Sequence, residues 1–311
     1  MKMTSLIRGF LFGLVGLMAA SVGMAQDALN GLAVIGAPTP GAMGFQTAAT
    51  ELARDGQWLD AMVLWIIAII TIFVTALLIW VVIRYNQRAN KSPARFTHHT
   101  MVEIMWTMLP IVILIVIGSF SLPILFKQIE TPPSDITIKV TGNQWYWTYE
   151  YPESGVVFDS FMIGQGEPGL TEDVIAQLAE YGYEPKDYLL AADTAIVVPV
   201  GAVVRVLVAG SDVNHSFAVP AFGIKMDGIV GRLNETWFRV GADPLDVEAG
   251  TDADENYIGT YFGQCSELCG INHSYMPIVV KAVSQADYEA WLEGAIAEYA
   301  SIPAATTVAS N

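Results

Sequence analysis

Two uncharged apolar runs constrain this chain more than any other feature. Ala61 to Ile83 holds 23 residues without a charge, and Ile104 to Phe126 repeats the pattern, interrupted only by Pro110 and Pro123. Each run is long enough to cross a bilayer as a helix, which takes about 20 residues at a rise of about 1.5 Å. A buried helix pair in a soluble core would carry charges over that length. The composition agrees, with 53% hydrophobic and only 15% charged residues. Arg84, Arg88, Lys91 and Arg95 lie between the runs, with no acidic residue before Glu103. By the positive-inside rule this loop, residues 84–100, faces the cytoplasm and both chain ends face outside. The expected membrane helices are 58–83 and 101–126, a two-helix hairpin preceded by an external segment, 26–57.

Residues 1–25 combine Lys2 and Arg8 with an apolar stretch from Gly9 to Ala20 and small residues at Gly23 and Ala25. That order reads as a cleavable secretory signal, with Gln26 as the mature N-terminus.

Charge is distributed unevenly. Beyond Glu130 there are 25 acidic residues against 7 basic ones, within a formal net charge of -16. Such a domain repels nucleic acid. It would draw a basic protein toward the membrane surface, an attraction that salt weakens, although plain solubility explains the same charge.

From residue 131 to 283 the pattern is all-β. Short segments rich in β-branched and aromatic residues recur at Ile136–Val140, Trp145–Tyr151, Ala195–Val200, Val203–Val208, Thr236–Val240, Tyr257–Phe262 and Ile278–Val283. Gly, Pro, Asn and Asp separate them, as in a sandwich or small barrel. On a strand, Trp145 and Trp147 share one face and Tyr146 the other. Two stretches break the rhythm: Thr171–Tyr181 reads as a short inserted helix, and Ala242–Asn256 as an acidic loop. Ser284 followed by Asp287 opens a terminal helix over 284–299, with Tyr288, Trp291, Leu292, Ala295 and Ile296 at helical spacing. Residues 300–311 have no pattern and read as a tail.

Chemistry concentrates in Cys265-Ser-Glu-Leu-Cys-Gly-Ile-Asn-His-Ser-Tyr-Met276, which gathers two thiols, an imidazole and a thioether within twelve residues. Thiolate and thioether sulfur with imidazole suit copper, and His215, at the end of a strand segment 50 residues upstream, offers a second imidazole. A mononuclear blue-copper site needs one cysteine, so the second is surplus unless two thiolates bridge two ions. A disulfide would account for the cysteines alone, and a zinc site for cysteine and histidine, though methionine is a poor zinc ligand.

Three segments together resemble subunit II of the cytochrome c oxidases, in its signal-bearing bacterial form: Cys265-Ser-Glu-Leu-Cys-Gly-x-x-His-x-x-Met276, Asp212-Val-Asn-His215-Ser-Phe-Ala-Val-Pro, and Gly142-Asn-Gln-Trp-Tyr-Trp-Thr-Tyr-Glu150-Tyr. The resemblance implies a cupredoxin-like sandwich in the periplasm, anchored by the hairpin in the inner membrane. It implies a binuclear CuA centre held by His215, Cys265, Cys269, His273 and Met276 with the backbone carbonyl of Glu267. The Glu267 side chain would reach a magnesium or manganese ion shared with subunit I. It further implies that cytochrome c delivers electrons at Trp145 and docks on Glu150, Asp159, Asp193 and Asp212. Electrons would pass to the haem and CuB of subunit I, with subunit III as a further partner, for reduction of oxygen coupled to proton pumping. Glu103-Ile-Met-Trp-Thr-x-Leu-Pro110 resembles the segment whose glutamate stands at the mouth of a proton channel.

The chain has no Cys-x-x-Cys-His and no histidine in either apolar run, so it offers no haem site of its own. Two departures are visible: Phe217 stands where the family commonly has tryptophan, and Gly231 precedes Arg232 where proline is usual. A quinol oxidase subunit would lack the copper ligands, and a membrane-tethered copper carrier would have no use for Trp145 or Glu103. His98 and His99 have no assigned role.

Overall fold

Two long helices lead into a two-sheet β sandwich. The computed structural model describes residues 25–92, 94–241 and 256–300. The expected signal segment up to residue 24, almost all of the acidic loop 242–256 and the tail from 301 lie outside the described residues.

Helix α1 spans Glu51–Arg84 and α2 spans Thr100–Ile129, both long and apolar enough to cross a membrane. Helix α1 begins seven residues before the expected span because Thr50 caps it, its side chain accepting from the Ala53 amide. The same hydroxyl donates to the Phe222 carbonyl at 2.6 Å, which ties the helix start to the sandwich. At the start of α2, His99 accepts from the Val102 amide, and Glu103 Oε1 accepts from the His99 amide at 3.1 Å, a reciprocal cap. Pro110 and Pro123 sit inside α2 without ending it. Each removes one backbone donor, which neighbouring side chains and helices can offset in a membrane setting.

The first sheet orders β5 (Ile196–Pro199), β11 (Pro277–Val283), β10 (Gly259–Cys265), β7 (His215–Val219) and β8 (Ile224–Gly228), with β1 (Val34–Gly36) also paired to β10. The second orders β4 (Val156–Ser160), β3 (Tyr146–Tyr151), β2 (Ile136–Asn143), β6 (Val204–Gly210) and β9 (Asn234–Phe238). Alternation does the sorting: Trp147, Tyr149 and Tyr151 on β3 point inward, as do Val204, Val206 and Val208 on β6. Between the sheets they meet Phe217, Phe222, Phe238 and Tyr261. Strands β1, β4, β7 and β8 were not among the sequence-predicted segments. Two of them, β7 and β8, flank a short turn from Pro220 to Gly223, whose turn chemistry masks the strands on either side.

Between β4 and β5, helix α3 (Glu172–Glu180) is capped by Thr171 and buries Val174 and Leu178 in a satellite core with Ile163, Tyr183, Ala191, Ala195 and Phe262. Helix α4 (Gln285–Tyr299) starts on the Ser284 cap and lays Tyr288, Trp291 and Ala295 on the sandwich, with the Trp291 ring 5.2 Å from that of Tyr151.

Polar contacts join hairpin to sandwich. Lys127 near the end of α2 pairs with Glu51 at 2.8 Å and Asp55 at 2.7 Å on α1. Arg239, just past β9, pairs with the same Glu51, and the Trp237 indole donates to the Lys127 carbonyl at 3.1 Å.

Candidate metal centre

Antiparallel pairing of β7 with β10 sets Cys265 opposite Phe217, and so brings His215, two residues earlier, to the same end of the sheet. His215 opens β7, whereas the sequence pattern has it closing a strand segment. Cys265 closes β10, and the chain then loops through Cys269 and a short turn at His273–Tyr275 before β11 begins behind Met276. One strand pairing and one loop thus bring together every side chain of the expected copper set.

The donor atoms converge. Cys265 Sγ lies 3.9 Å from His215 Nδ1, 3.9 Å from Cys269 Sγ and 3.3 Å from the Glu267 carbonyl oxygen. Cys269 Sγ lies 3.7 Å from His273 Nδ1 and 3.4 Å from Met276 Sδ. A disulfide needs about 2.05 Å between sulfurs, and both cysteines are free. Donors that share one ion at about 2.0 Å (nitrogen) or about 2.3 Å (sulfur) stand roughly 3.3–4 Å apart, which is the spacing here. Among the described residues, His215, Cys265 and Cys269 form a buried group whose ligand atoms lie within 4.8 Å of one another.

Electrostatics favour a cation. Burial raises the Cys265 thiol, but the His215 ring and contacts with the backbone of Glu267 and Ser216 outweigh it and leave the thiol at about 7. Cys269, buried and facing the Cys265 charge, is pushed up to about 12. Two adjacent thiolates repel, so the pair releases one proton readily and the second only with difficulty, a penalty that a bound cation removes.

His215 is oriented from outside the cluster. Its Nε2 lies 3.0 Å from Asp212 Oδ1, which leaves Nδ1 turned to the sulfurs. Burial lowers the imidazole, and Cys265 and Asp212 more than offset this, so its pKa is raised.

The sequence model described as "Cytochrome C oxidase subunit II, transmembrane domain" matches residues 38–124, and that for the periplasmic domain of the same subunit matches 136–283. Over 299 residues the chain is 49% identical to "Cytochrome c oxidase subunit 2" of Cereibacter sphaeroides, covering 95% of this chain and 93% of that one. The chain belongs to the cytochrome c oxidase subunit II family. It is also 41% identical to a "Probable cytochrome c oxidase subunit 2" of Rickettsia bellii, over 82% of this chain and 84% of the relative. The crystal structure of the periplasmic domain of subunit II from Bradyrhizobium japonicum is similar with a TM-score of 0.42 at 40% identity, covering 55% of this chain and 99% of that one. As a subunit II, the protein is part of an oxidase complex in a membrane, and its cluster of histidine and two cysteines is consistent with a copper site.

Other residues expected to function in this subunit II lie apart from the copper cluster or do more than expected. Trp145 is not on a strand: it occupies the turn between β2 and β3, and the inward alternation begins at Trp147. The turn forms because β2 and β3 pair up to Asn143 and Tyr146, leaving only Gln144 and Trp145 to reverse the chain. Its half-buried indole reaches the copper loop, with Cζ2 3.0 Å from where a β-carbon on Gly270 would lie. Gln144 Nε2 donates to the Cys269 carbonyl at 2.7 Å, so turn and loop are also bonded directly.

The four expected docking carboxylates all have internal partners. Glu150 pairs with Lys139 at 2.9 Å, and Asp159, though exposed, accepts from Thr148 Oγ1 at 2.6 Å. Asp193 accepts from the Phe161 amide at 2.8 Å, and burial raises its pKa. Asp212 holds His215 and accepts from the amides of Val213 and Gln144. Sequence reasoning missed this second task of Asp212; its place three residues before His215 was the available signal. Glu103 stands at the far end of α2 from the sandwich, on the order of 40 Å of helix away, beside a shallow recess lined with Thr100, Ile104, Thr107 and Met108. Glu267 keeps its side chain exposed while its carbonyl faces Cys265.

Proposed function

We propose that this subunit accepts electrons from cytochrome c at a binuclear CuA centre and passes them to haem in subunit I, where oxygen is reduced to water with proton pumping. One observation carries the reading: two free cysteines with sulfurs 3.9 Å apart, ringed by two imidazoles, a thioether and a carbonyl. When bound, the copper pair supplies a one-electron store whose charge is shared across two metals.

The chain's own residues do the rest. Cys265, Cys269, His215, His273 and Met276 would hold the copper together with the Glu267 carbonyl, and Asp212 keeps His215 in the tautomer that presents Nδ1. The exposed Glu267 carboxylate is a hard oxygen donor suited to a magnesium or manganese ion shared with subunit I. The sandwich holds the soft donors on strand ends and a braced loop, so little has to move when the charge changes. Trp145, against the copper loop, lies on the route by which the electron arrives. Asp159, Glu150, Asp193 and Asp212 give the surrounding surface its negative field toward a basic cytochrome. Glu103 admits protons on the other side; the positive charges of Arg84, Arg88, Lys91 and Arg95 support a cytoplasmic hairpin loop with both chain ends in the periplasm.

Copper analysis of the purified oxidase with electron paramagnetic resonance tests this. Two coppers attributable to this chain and the multi-line signal of a mixed-valence pair are expected. A single copper, zinc, or a Cys265–Cys269 disulfide in the metal-loaded protein would overturn it.

A further inference from the structure

The insertion between β4 and β5 contains Gln165, whose side chain reaches the turn that carries Trp145. Gln165 Nε2 donates to the Trp145 carbonyl at 2.9 Å. The turn is held at its other residue as well, since the Gln144 amide donates to Asp212 and the Gln144 side chain to Cys269. Gln165 therefore supplies the bond to Trp145 itself.

The place of Gln165 is set by the insertion's own core. Its amide donates to the Met162 carbonyl at 3.1 Å, and the Ile163 amide to the Ala191 carbonyl at 3.1 Å, so a tight turn is clamped to the chain returning toward β5. Gly164 in that turn has φ +76°, and an added β-carbon would meet Val174 Cγ1 at 2.8 Å. Val174 is fully buried on α3. The packed helix thus presses on the turn, only glycine fits, and Gln165 is left pointing at Trp145. Next to it, Phe161 stacks on Tyr146, with ring centroids 4.7 Å apart.

We propose that Gln165 is a positioning residue for electron transfer and that the 162–192 insertion is the brace that aims it. This rests on Trp145 being the point where electrons arrive. In that step one electron leaves the reduced haem of cytochrome c and is taken up by the oxidised centre of this subunit; no bond forms and no proton moves. Gln165 acts by keeping the indole against the copper loop, so that a larger share of encounters finds it in place.

Gln165→Met keeps the length of the side chain and removes the donor. A neutral hydrogen bond of this kind corresponds to roughly a threefold to tenfold change in population. In the intact oxidase, kcat for cytochrome c oxidation under input-limited conditions should fall about threefold to tenfold, with KM and copper content unchanged. In the copper-free full chain, hydrogen exchange in peptides covering residues 143–147 should quicken by a similar factor, a readout that does not depend on turnover. Trp145→Gln is measured beside it. Unchanged exchange and kcat in Gln165→Met, with slowed transfer in Trp145→Gln, overturn the proposal and leave the Trp145 route standing. Unchanged transfer in Trp145→Gln removes the route, and the proposal with it. A raised KM or lost copper in Gln165→Met also overturns it, because the residue would then act in docking or in building the centre.

Discussion

The second sheet carries a polar cluster at each end, and the two are built on opposite principles. Strands β2, β6 and β9 start or finish at Ile136, Val204 and Phe238 on one side, where Glu51, Asp55, Lys127 and Arg239 meet; β2 and β6 reach Gly142 and Gly210 on the other, beside Asp212 and His215. At the membrane junction each charge already faces its opposite. At the copper end, thiols, imidazoles and a thioether converge at 3.4–3.9 Å; His215 eases Cys265 toward its thiolate, but burial and that charge in turn hold the Cys269 thiol protonated. A cluster that satisfies itself is a fastening, whereas converging donors left unneutralised await a cation.

The largest expected effect breaks the copper end. Cys269→Ser removes one bridging sulfur, so the two-copper stoichiometry and mixed-valence signal should vanish and turnover with cytochrome c fall to background, while the fold persists by circular dichroism. Asp212→Ala comes next. If it orients His215, copper retention against a chelator should drop about 10- to 100-fold; a mere docking role would leave retention intact and raise KM only.

At the other end, Glu51→Gln deprives Lys127 and Arg239 of a shared partner. Discounted for the partial exposure of both cations, the cost is about 1–3 kcal/mol, visible as a lowered Tm with copper content unchanged. Loss of copper in that variant would show that the two ends are not independent.

The smallest effect concerns a cation belonging to neither end. Lys281 on β11 is 3% exposed, donates to Asn30 Oδ1 at 3.2 Å, and is brought down by burial to about 8. Between about 8 and its ordinary 10.5 the unfolded chain binds more protons than the folded one, so this group adds stability as pH rises through that window. Lys281→Met should therefore raise stability at pH 7 by about 1–2 kcal/mol, and thermal melts should show the gain shrinking toward pH 10.

The hairpin and the sulfur-rich loop are both legible in the sequence. An uncharged run of 23 residues needs no tertiary information to be a helix in an apolar setting, because every backbone bond is internal to the segment. The donors from Cys265 to Met276 are near neighbours along the chain, so their chemistry could be read directly. Strand β7 is less legible, since it is short and abuts the Pro220–Phe222 turn, so the pattern puts His215 at the end of a strand instead of its start. Trp145 reads as part of the strand because a two-residue turn continues the aromatic pattern of β3 behind it.

The sequence by itself determined that this chain has two membrane-length helices, a β-rich acidic domain and a soft-donor set suited to copper. Tertiary structure decided that His215 meets Cys265 across 50 residues, that Asp212 holds the imidazole, and that Gln165 reaches Trp145 from an insertion. The division follows range: helical and strand periodicity depend on neighbours a few residues apart, whereas these encounters depend on strand register and on the packing of Val174 under Gly164, which no local pattern encodes.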